Sequence, residues 1–200
     1  MALDSKKIMV PLADQRTTGA ALMGDVLTTI PADFAAAQTA IANFTGTGYL
    51  GEDGIALSTS LSTTDFKEMN RATVRKGLDD FTGNVTYTEL QFADEDVLKR
   101  KFGADNVSVV AATSGQSGHG KYIHVKIGAK FAPEKAFAWK LKDGDMRAIV
   151  LIPKGQVTNG IDVTFAANGM AGVATEVSAY DDGTGYSIHI YFDDGQVASA

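Results

Sequence analysis

At 200 residues the chain is long enough for one domain that buries roughly 70% of the surface its unfolded form exposes, so it needs no disulfide or metal staple. It contains no cysteine, which excludes thiol chemistry, a disulfide framework and Cys-based zinc sites. Its 18 Lys and Arg against 24 Asp and Glu leave a net charge of −6, and residues 156–200 hold six acids and no base; a protein gripping nucleic acid needs the opposite, a basic face that releases counterions.

The N-terminus, MALDSKKIMVPLADQ, carries Lys6 and Lys7 but only a short apolar run before Asp14, too little for a secretory signal. No segment approaches the length of apolar chain that a membrane span requires. The expectation is a soluble, unprocessed chain. Residues 1–47 are rich in Ala and Thr, and Phe34, Ala37, Ile41 and Phe44 recur at helical spacing behind Pro31. This region reads as a mobile arm followed by a short helix, with Pro31 as the first helical residue, ahead of a β domain over 48–200.

Next comes GYLGEDGIALS, then a Ser/Thr-rich stretch, 58–71, that reads as a long polar loop, then ATVRKGLDDFTGNVTYTELQF. In the last of these, Val85, Tyr87, Glu89 and Gln91 alternate with Thr86, Thr88, Leu90 and Phe92, as a half-buried strand requires. The following ADEDVLKRKFG predicts a helix. Asp94, Glu95 and Asp96 stand at its positive end, Lys99, Arg100 and Lys101 at its negative end, and Gly103 just beyond. Leu98 and Phe102 would dock it.

Further on, Ile123, Val125, Ile127, Ala129 and Phe131 alternate with Tyr122, His124, Lys126 and Lys130, the pattern of an antiparallel strand with one wet side. Phe137, Trp139 and Leu141 lead through Asp143-Gly144 into the apolar run 146–152, a hairpin expected to end at Pro153. Ile161, Val163 and Phe165 suggest another strand. A second hairpin is expected to join 173–180 to 186–192 across the turn Asp181-Asp182-Gly183-Thr184-Gly185. Many strands and one well-signalled helix predict a mainly β fold, a β-sandwich or barrel with a helix packed against it.

Catalytic signals fail on inspection. Gly115-Gln116-Ser117-Gly118-His119-Gly120-Lys121 has the spacing of a phosphate-binding loop, but Tyr122 stands where a Ser or Thr must reach magnesium, and a strand pattern follows where a helix should open. Residues 112–120 therefore read as a surface loop. His119, His124 and His189 are too scattered for a metal or catalytic motif, and the two on strands fall on polar faces. The acidic pairs Glu52-Asp53, Asp79-Asp80, Asp181-Asp182 and Asp193-Asp194 are neighbours that a regular strand turns to opposite faces, unlike the facing carboxylates of glycosidases. The residues point to no enzyme and no cofactor.

The order of pieces from 48 to 103, continued by RAIVLIPKGQV at 147–157 and TEVSAYDDGTGYSIHIYFDDG at 175–195, resembles the major tail tube protein of long-tailed, non-contractile (siphovirus-type) bacteriophages, actinophage-like members in particular. The resemblance implies a virion structural protein made in the host cytoplasm, whose copies form rings, hexameric in that family, that stack into a tube. Its partners would be other copies of itself, a tape-measure protein and a tail terminator, with double-stranded DNA passing the lumen unbound. Asp79, Asp80, Asp162 and Glu176 are candidate lumen acids. Ser58, Ser60, Thr63, Thr64, Asp65, Lys67, Glu68, Asn70 and Arg71 would reach between rings, together with the N-terminal arm. Two other readings stand beside it: a β-sandwich module binding carbohydrate or a receptor, which an exposed Trp139 would favour, and the tube protein of bacterial secretion systems.

Overall fold

From Ala148 to Ile152 the chain is apolar with no polar alternate, and this part of its strand is buried on both faces. The computed structural model describes residues 8–14, 19–115, 118–128, 132–160, 163 and 170–196. In chain order it places β1 (Leu12–Ala13), β2 (Ala21–Gly24), α1 (Phe34–Ala40), β3 (Thr45–Gly46), β4 (Leu50–Lys67) and β5 (Thr73–Glu89). Then follow α2 (Glu95–Phe102), β6 (Val107–Val110), β7 (Tyr122–Val125), β8 (Lys135–Asp143), β9 (Met146–Val157), β10 (Val173–Ala179) and β11 (His189–Asp193). The protein is mainly β: a nine-stranded antiparallel sheet runs β3-β2-β8-β9-β10-β5-β4, with β1 on β8 and β11 on β9, and β6 and β7 form a separate pair.

At the centre, the β8–β9 hairpin turns through Gly144 and Asp145, Gly144 having φ 58°, a value glycine adopts without a Cβ clash. Alternate residues sort to two cores. Phe137, Trp139, Val150 and Ile152 face one cluster with Val85, Tyr87 and Leu50, so the far strands of the sheet fold back over this face. The Trp139 ring stacks near Phe137 and meets the Tyr87 ring edge-on, with centroids 5.7 Å apart. Ala136, Ala138, Ile149 and Leu151 face the other cluster, where their small neighbours admit Ala37 and Ile41 of the α1 region.

Several expectations need correction. Pro31 lies ahead of α1, whose N-cap is Asp33; its carboxylate accepts the Ala36 N–H at 2.7 Å. The expected arm is, over Leu12–Ala13 and Ala21–Gly24, paired to β8. Residues 58–67 are not a loop but the distal part of β4, because every step from Ile55 to Lys67 finds a ladder partner on β5. Of the alternation around Ile123, Tyr122–Val125 form β7, paired to β6, and 126–128 are not in a strand, while Ala129, Lys130 and Phe131 lie outside the described residues. β9 runs on through Pro153 to Val157; Pro153 sits at the β8–β9 irregularity, between the residues paired to β11 and those paired to β10, where no ladder N–H is missed. Finally, β10 and β11 do not pair with each other. Both lie antiparallel to β9, one after the other along the same edge, and β10 also pairs with β5. The strand suggested by Ile161 and Phe165 falls on residues outside those described; Val163 is not in a strand.

The helix α2 forms where its charges and caps predict. Asp94 accepts N–H groups from Asp96 and Val97, and Lys99 pairs with Glu95 one turn away. Its buried side is Val97, Leu98, Arg100 and Lys101, with Phe102 only half-buried. The Arg100 guanidinium donates to the carbonyls of Thr45 and Gly46, and the Lys101 ammonium to Asn159 Oδ1 and the Ala174 carbonyl. Burial pushes the Glu89 carboxyl up against the pull of Arg100 and Lys101, and brings Lys101 down to about 8.

Candidate functional site

The β4–β5 hairpin is 18 and 17 residues long on its two sides, and beyond its base nearly every residue is exposed. Strands of this length exceed the common range of about 3–10 residues. β4 is also a terminal strand of the sheet, so its outer N–H and C=O groups face no strand among the described residues, an edge that folded proteins rarely leave bare. At the tip, Glu68 and Ala72 close the turn by backbone hydrogen bonding, Met69 is fully exposed, and Arg71 has φ 67°, the one positive value outside glycine among the described residues.

The register sorts the hairpin into two unlike faces. Ser58, Ser60, Ser62 and Thr64 lie on one side of β4, opposite Asn84, Thr82, Asp80 and Gly77. An irregularity interrupts the ladder here: Ser62 faces Asp80 but Thr63 faces Leu78, leaving Asp79 as an extra residue. Thr64 donates its hydroxyl hydrogen to Asp79 Oδ2 at 2.5 Å, so the bulge brings Asp79 to the same side as Asp80. The rule that neighbours on a strand point apart fails at this pair for that reason. Across β5, Thr86 faces Glu176 of β10 and Asn84 faces Ser178, which extends the polar face over three strands. Asp79, Asp80 and Glu176 therefore share one hydroxyl-rich face with Ser58, Ser60 and Thr64. Arg75, opposite Phe66, lies on that face near the tip, where the Phe66 ring covers Gly77.

The other face is apolar. Leu57 faces Val85, Leu61 faces Phe81 and Thr63 faces Leu78, extending the inner core row outward until Leu61 and Leu78 are each 65% exposed. Thr63 and Asp65 belong to this side, and Asp65 takes an ion pair from Lys76 at 3.2 Å. Lys67 ends β4, while Glu68, Asn70 and Arg71 form the tip. The sequence reading overlooked this apolar side, although Leu57 and Leu61 stand four apart in a Ser/Thr background. Asp162 lies outside the described residues.

Among the described residues, the other candidates from the sequence come together in no catalytic arrangement. Residues 118–120 lead into β7, with no helix to cradle a phosphate. His189, expected on a wet face, is half-buried and its Nε2 lies 2.8 Å from Asp182 Oδ2. Burial raises the Asp182 carboxyl, but hydrogen bonds from Thr184 and His189 outweigh it and hold it at about 2. Asp181 and Asp182 are turn formers, accepting N–H groups of Gly183 and Thr184. His124 is exposed on β7. Among the described residues no group of three His, Cys, Asp or Glu side chains is placed to hold a metal, and no helix is long and apolar enough to cross a membrane. Trp139 is fully buried, so it offers no platform to a sugar.

No curated protein matches the chain. Among solved structures, one similar chain comes from the virion of a native gene transfer agent particle: 15% identical, covering 76% of this chain and 90% of that one, with a TM-score of 0.40. A family model described as phage tail tube protein matches residues 1–198. A match over nearly the whole length decides the family, and this chain belongs to the phage tail tube proteins, structural components of the virion.

Proposed function

We propose that copies of this chain form closed rings, six to a ring, that stack into the tail tube through which double-stranded DNA leaves the virion. The observation that carries this reading is the acid- and hydroxyl-bearing face that Asp79, Asp80, Glu176, Ser58, Ser60 and Thr64 make on β10, β5 and β4, where the outer edge of β4 has no strand partner among the described residues. Pairing that edge with a neighbouring copy would satisfy the free backbone groups of β4 and extend the sheet around a channel. Turned to the lumen, such a face repels phosphate and offers no counterion release, so DNA slides without sticking. Head-to-tail stacking through unlike surfaces does not close on itself and so grows a filament. Assembly follows synthesis in the host cytoplasm, is primed and measured by a tape-measure protein and is stopped by a tail terminator. The role is structural, with no catalysis.

Negative-stain electron microscopy of the purified protein at high concentration, with a tape-measure-primed sample beside it, tests this directly. Hollow filaments with countable ring symmetry are expected. Monomers in both samples would refute it.

A further inference from the structure

Where α2 meets the sheet, a set of buried polar groups has no part in the tube surfaces. Lys101 is 7% exposed and Glu89 1%, an ammonium and a carboxyl of the kinds that folded chains seldom take out of water. The Lys101 ammonium donates to Asn159 Oδ1 at 3.1 Å and to the Ala174 carbonyl at 2.5 Å. The same Asn159 oxygen accepts the Glu176 N–H at 2.9 Å, and Asn159 Nδ2 donates to the same Ala174 carbonyl at 2.8 Å. One backbone oxygen therefore holds an amine nitrogen and an amide nitrogen side by side, while a backbone N–H polarises the amide carbonyl. Nearby, Glu89 Oε2 takes the Thr175 hydroxyl at 3.4 Å, and Oε1 has no hydrogen-bond partner among the described residues.

We infer that Lys101 and Asn159 join covalently within one chain, Lys101 Nζ attacking Asn159 Cγ to make an amide between the two side chains. The step needs no oxidant or cofactor. The Nζ–Cγ bond forms, the Cγ–Nδ2 bond breaks, and two protons pass from the Lys101 ammonium to Nδ2, which leaves as ammonium. Groups held in reacting geometry, about 3–3.5 Å apart, behave as if at effective molarities of about 10⁵–10⁸ M. Asn159 Cγ is one C=O bond, about 1.23 Å, from an oxygen already 3.1 Å from Nζ, so a small rotation of the lysine side chain brings the nitrogen over it. Charge developing on Oδ1 meets the Glu176 N–H, a donor placed as in an oxyanion hole. Burial supplies the nucleophile, since it brings Lys101 down to about 8 against the pull of Glu89 and so leaves some free amine near neutral pH. Burial also raises Glu89, against the pull of Arg100 and Lys101, which makes its carboxylate the stronger base; its open Oε1 takes a proton from the ammonium and returns it to the leaving nitrogen. Tyr87, beside Glu89, is pushed well above its ordinary 10.0 by the same burial and stays neutral. Asn159 is half-buried and Gly160 exposed, which gives ammonium a way out. The link ties α2 to the segment after β9, across 58 positions of sequence. Only the folded chain brings the two side chains together, so the bond forms after folding, and until then Lys101 keeps its titrating amine.

Mass spectrometry of the intact wild-type chain, followed over days of warm incubation at pH 6 and at pH 9, tests this without any variant. The expected result is loss of one ammonia, together with a tryptic digest in which peptide 101–121 is joined to peptide 155–200. The joining should run at least about tenfold faster at pH 9 than at pH 6, following the free-amine fraction of Lys101. Asn159 precedes Gly160, and its deamidation through a succinimide also releases ammonia, but that route leaves the two peptides separate. Loss of ammonia without the joined pair therefore overturns the inference, and so does an unchanged mass. Lys101→Arg, which keeps the charge without the nucleophile, and Asn159→Ala should each yield no joined pair. Glu89→Gln, checked for folding by circular dichroism, should slow the joining several-fold at pH 6 and much less at pH 9, where hydroxide takes the lysine proton. Equal slowing at both pH values would overturn the proton transfer assigned to Glu89, since a merely structural role would act at both alike.

Discussion

The β8–β9 and β4–β5 hairpins are the same kind of element with opposite surroundings. β8 and β9 are buried on both faces, by α1 on one side and by the folded-over sheet on the other, whereas the distal half of β4–β5 is exposed on both. The first finds all its partners within the chain, and its side chains accordingly are Phe, Trp, Ile, Val and Ala. The second keeps its ladder but not a core; one face is Ser, Thr and Asp and the other Leu and Phe. An exposed strand pair with an apolar side and a free edge is costly in a monomer, and makes sense as surface whose burial comes from other copies.

The sharpest break of this comparison is Trp139→Ala. Removing a fully buried ring that touches Phe137 and Tyr87 should cost about 3–5 kcal/mol. Chemical denaturation of the monomer would show the midpoint fall, while Leu61→Ala, on the exposed hairpin, should move stability by no more than about 0.5 kcal/mol. A comparable loss at both sites would mean that the distal hairpin is part of the monomer's core after all.

Shortening the hairpin separates assembly from folding. With the residues between Thr59 and Gly83, which face each other in the ladder, replaced by a two-residue Asn-Gly turn, the base that holds Val85 and Tyr87 is kept. The expected product has the circular dichroism and thermal melt of a folded monomer and forms no tubes under the electron microscope. Tubes of normal length from this variant would remove the hairpin from the assembly surface.

How much of this was legible beforehand differs between the two regions for physical reasons. The β8–β9 hairpin announced itself, because burial on both faces demands an unbroken apolar run and Asp143-Gly144 marks the turn. Helix α2 was equally plain from its caps and charges. The distal part of β4, from Ser58 on, looked like a loop because a strand with no core in its own chain carries no conventional period, only the two leucines at Leu57 and Leu61. The bulge that brings Asp79 and Asp80 together depends on register, which only the paired strand reveals. The mistaken pairing of β10 with β11 has another source: nearness in sequence favours a hairpin, but β9 offers both strands a deeper burial, and the Asx-bonded turn at 181–185 lets the chain step from one end of it to the other.

At the base of β5, where exposed hairpin gives way to buried sheet, the α2 charges predict a pH response. Lys101 sits at about 8, pushed down by burial against the pull of Glu89, below its ordinary 10.5. Between those values the unfolded chain binds more protons than the folded one, so this group makes stability rise with pH across that window. Thermal melts from pH 8 to 9.5 should show a transition temperature rising relative to a Lys101→Met variant, which lacks the titrating group. Parallel curves for the two proteins would mean that Lys101 is solvated in the folded state.

The smallest expected effect lies at the hairpin tip. Arg71 adopts φ 67° in a turn closed by Glu68 and Ala72, a conformation that crowds Cβ against the neighbouring carbonyl and costs a non-glycine residue about 1 kcal/mol. Arg71→Gly relieves that strain but loosens the unfolded chain, and the two effects oppose each other, so the net gain should be only a few tenths of a kcal/mol. A monomer that is slightly more stable yet assembles poorly would show that the arginine is held in a strained turn for what its side chain reaches on a neighbouring copy. A variant that assembles normally would leave the strain as a property of the turn alone.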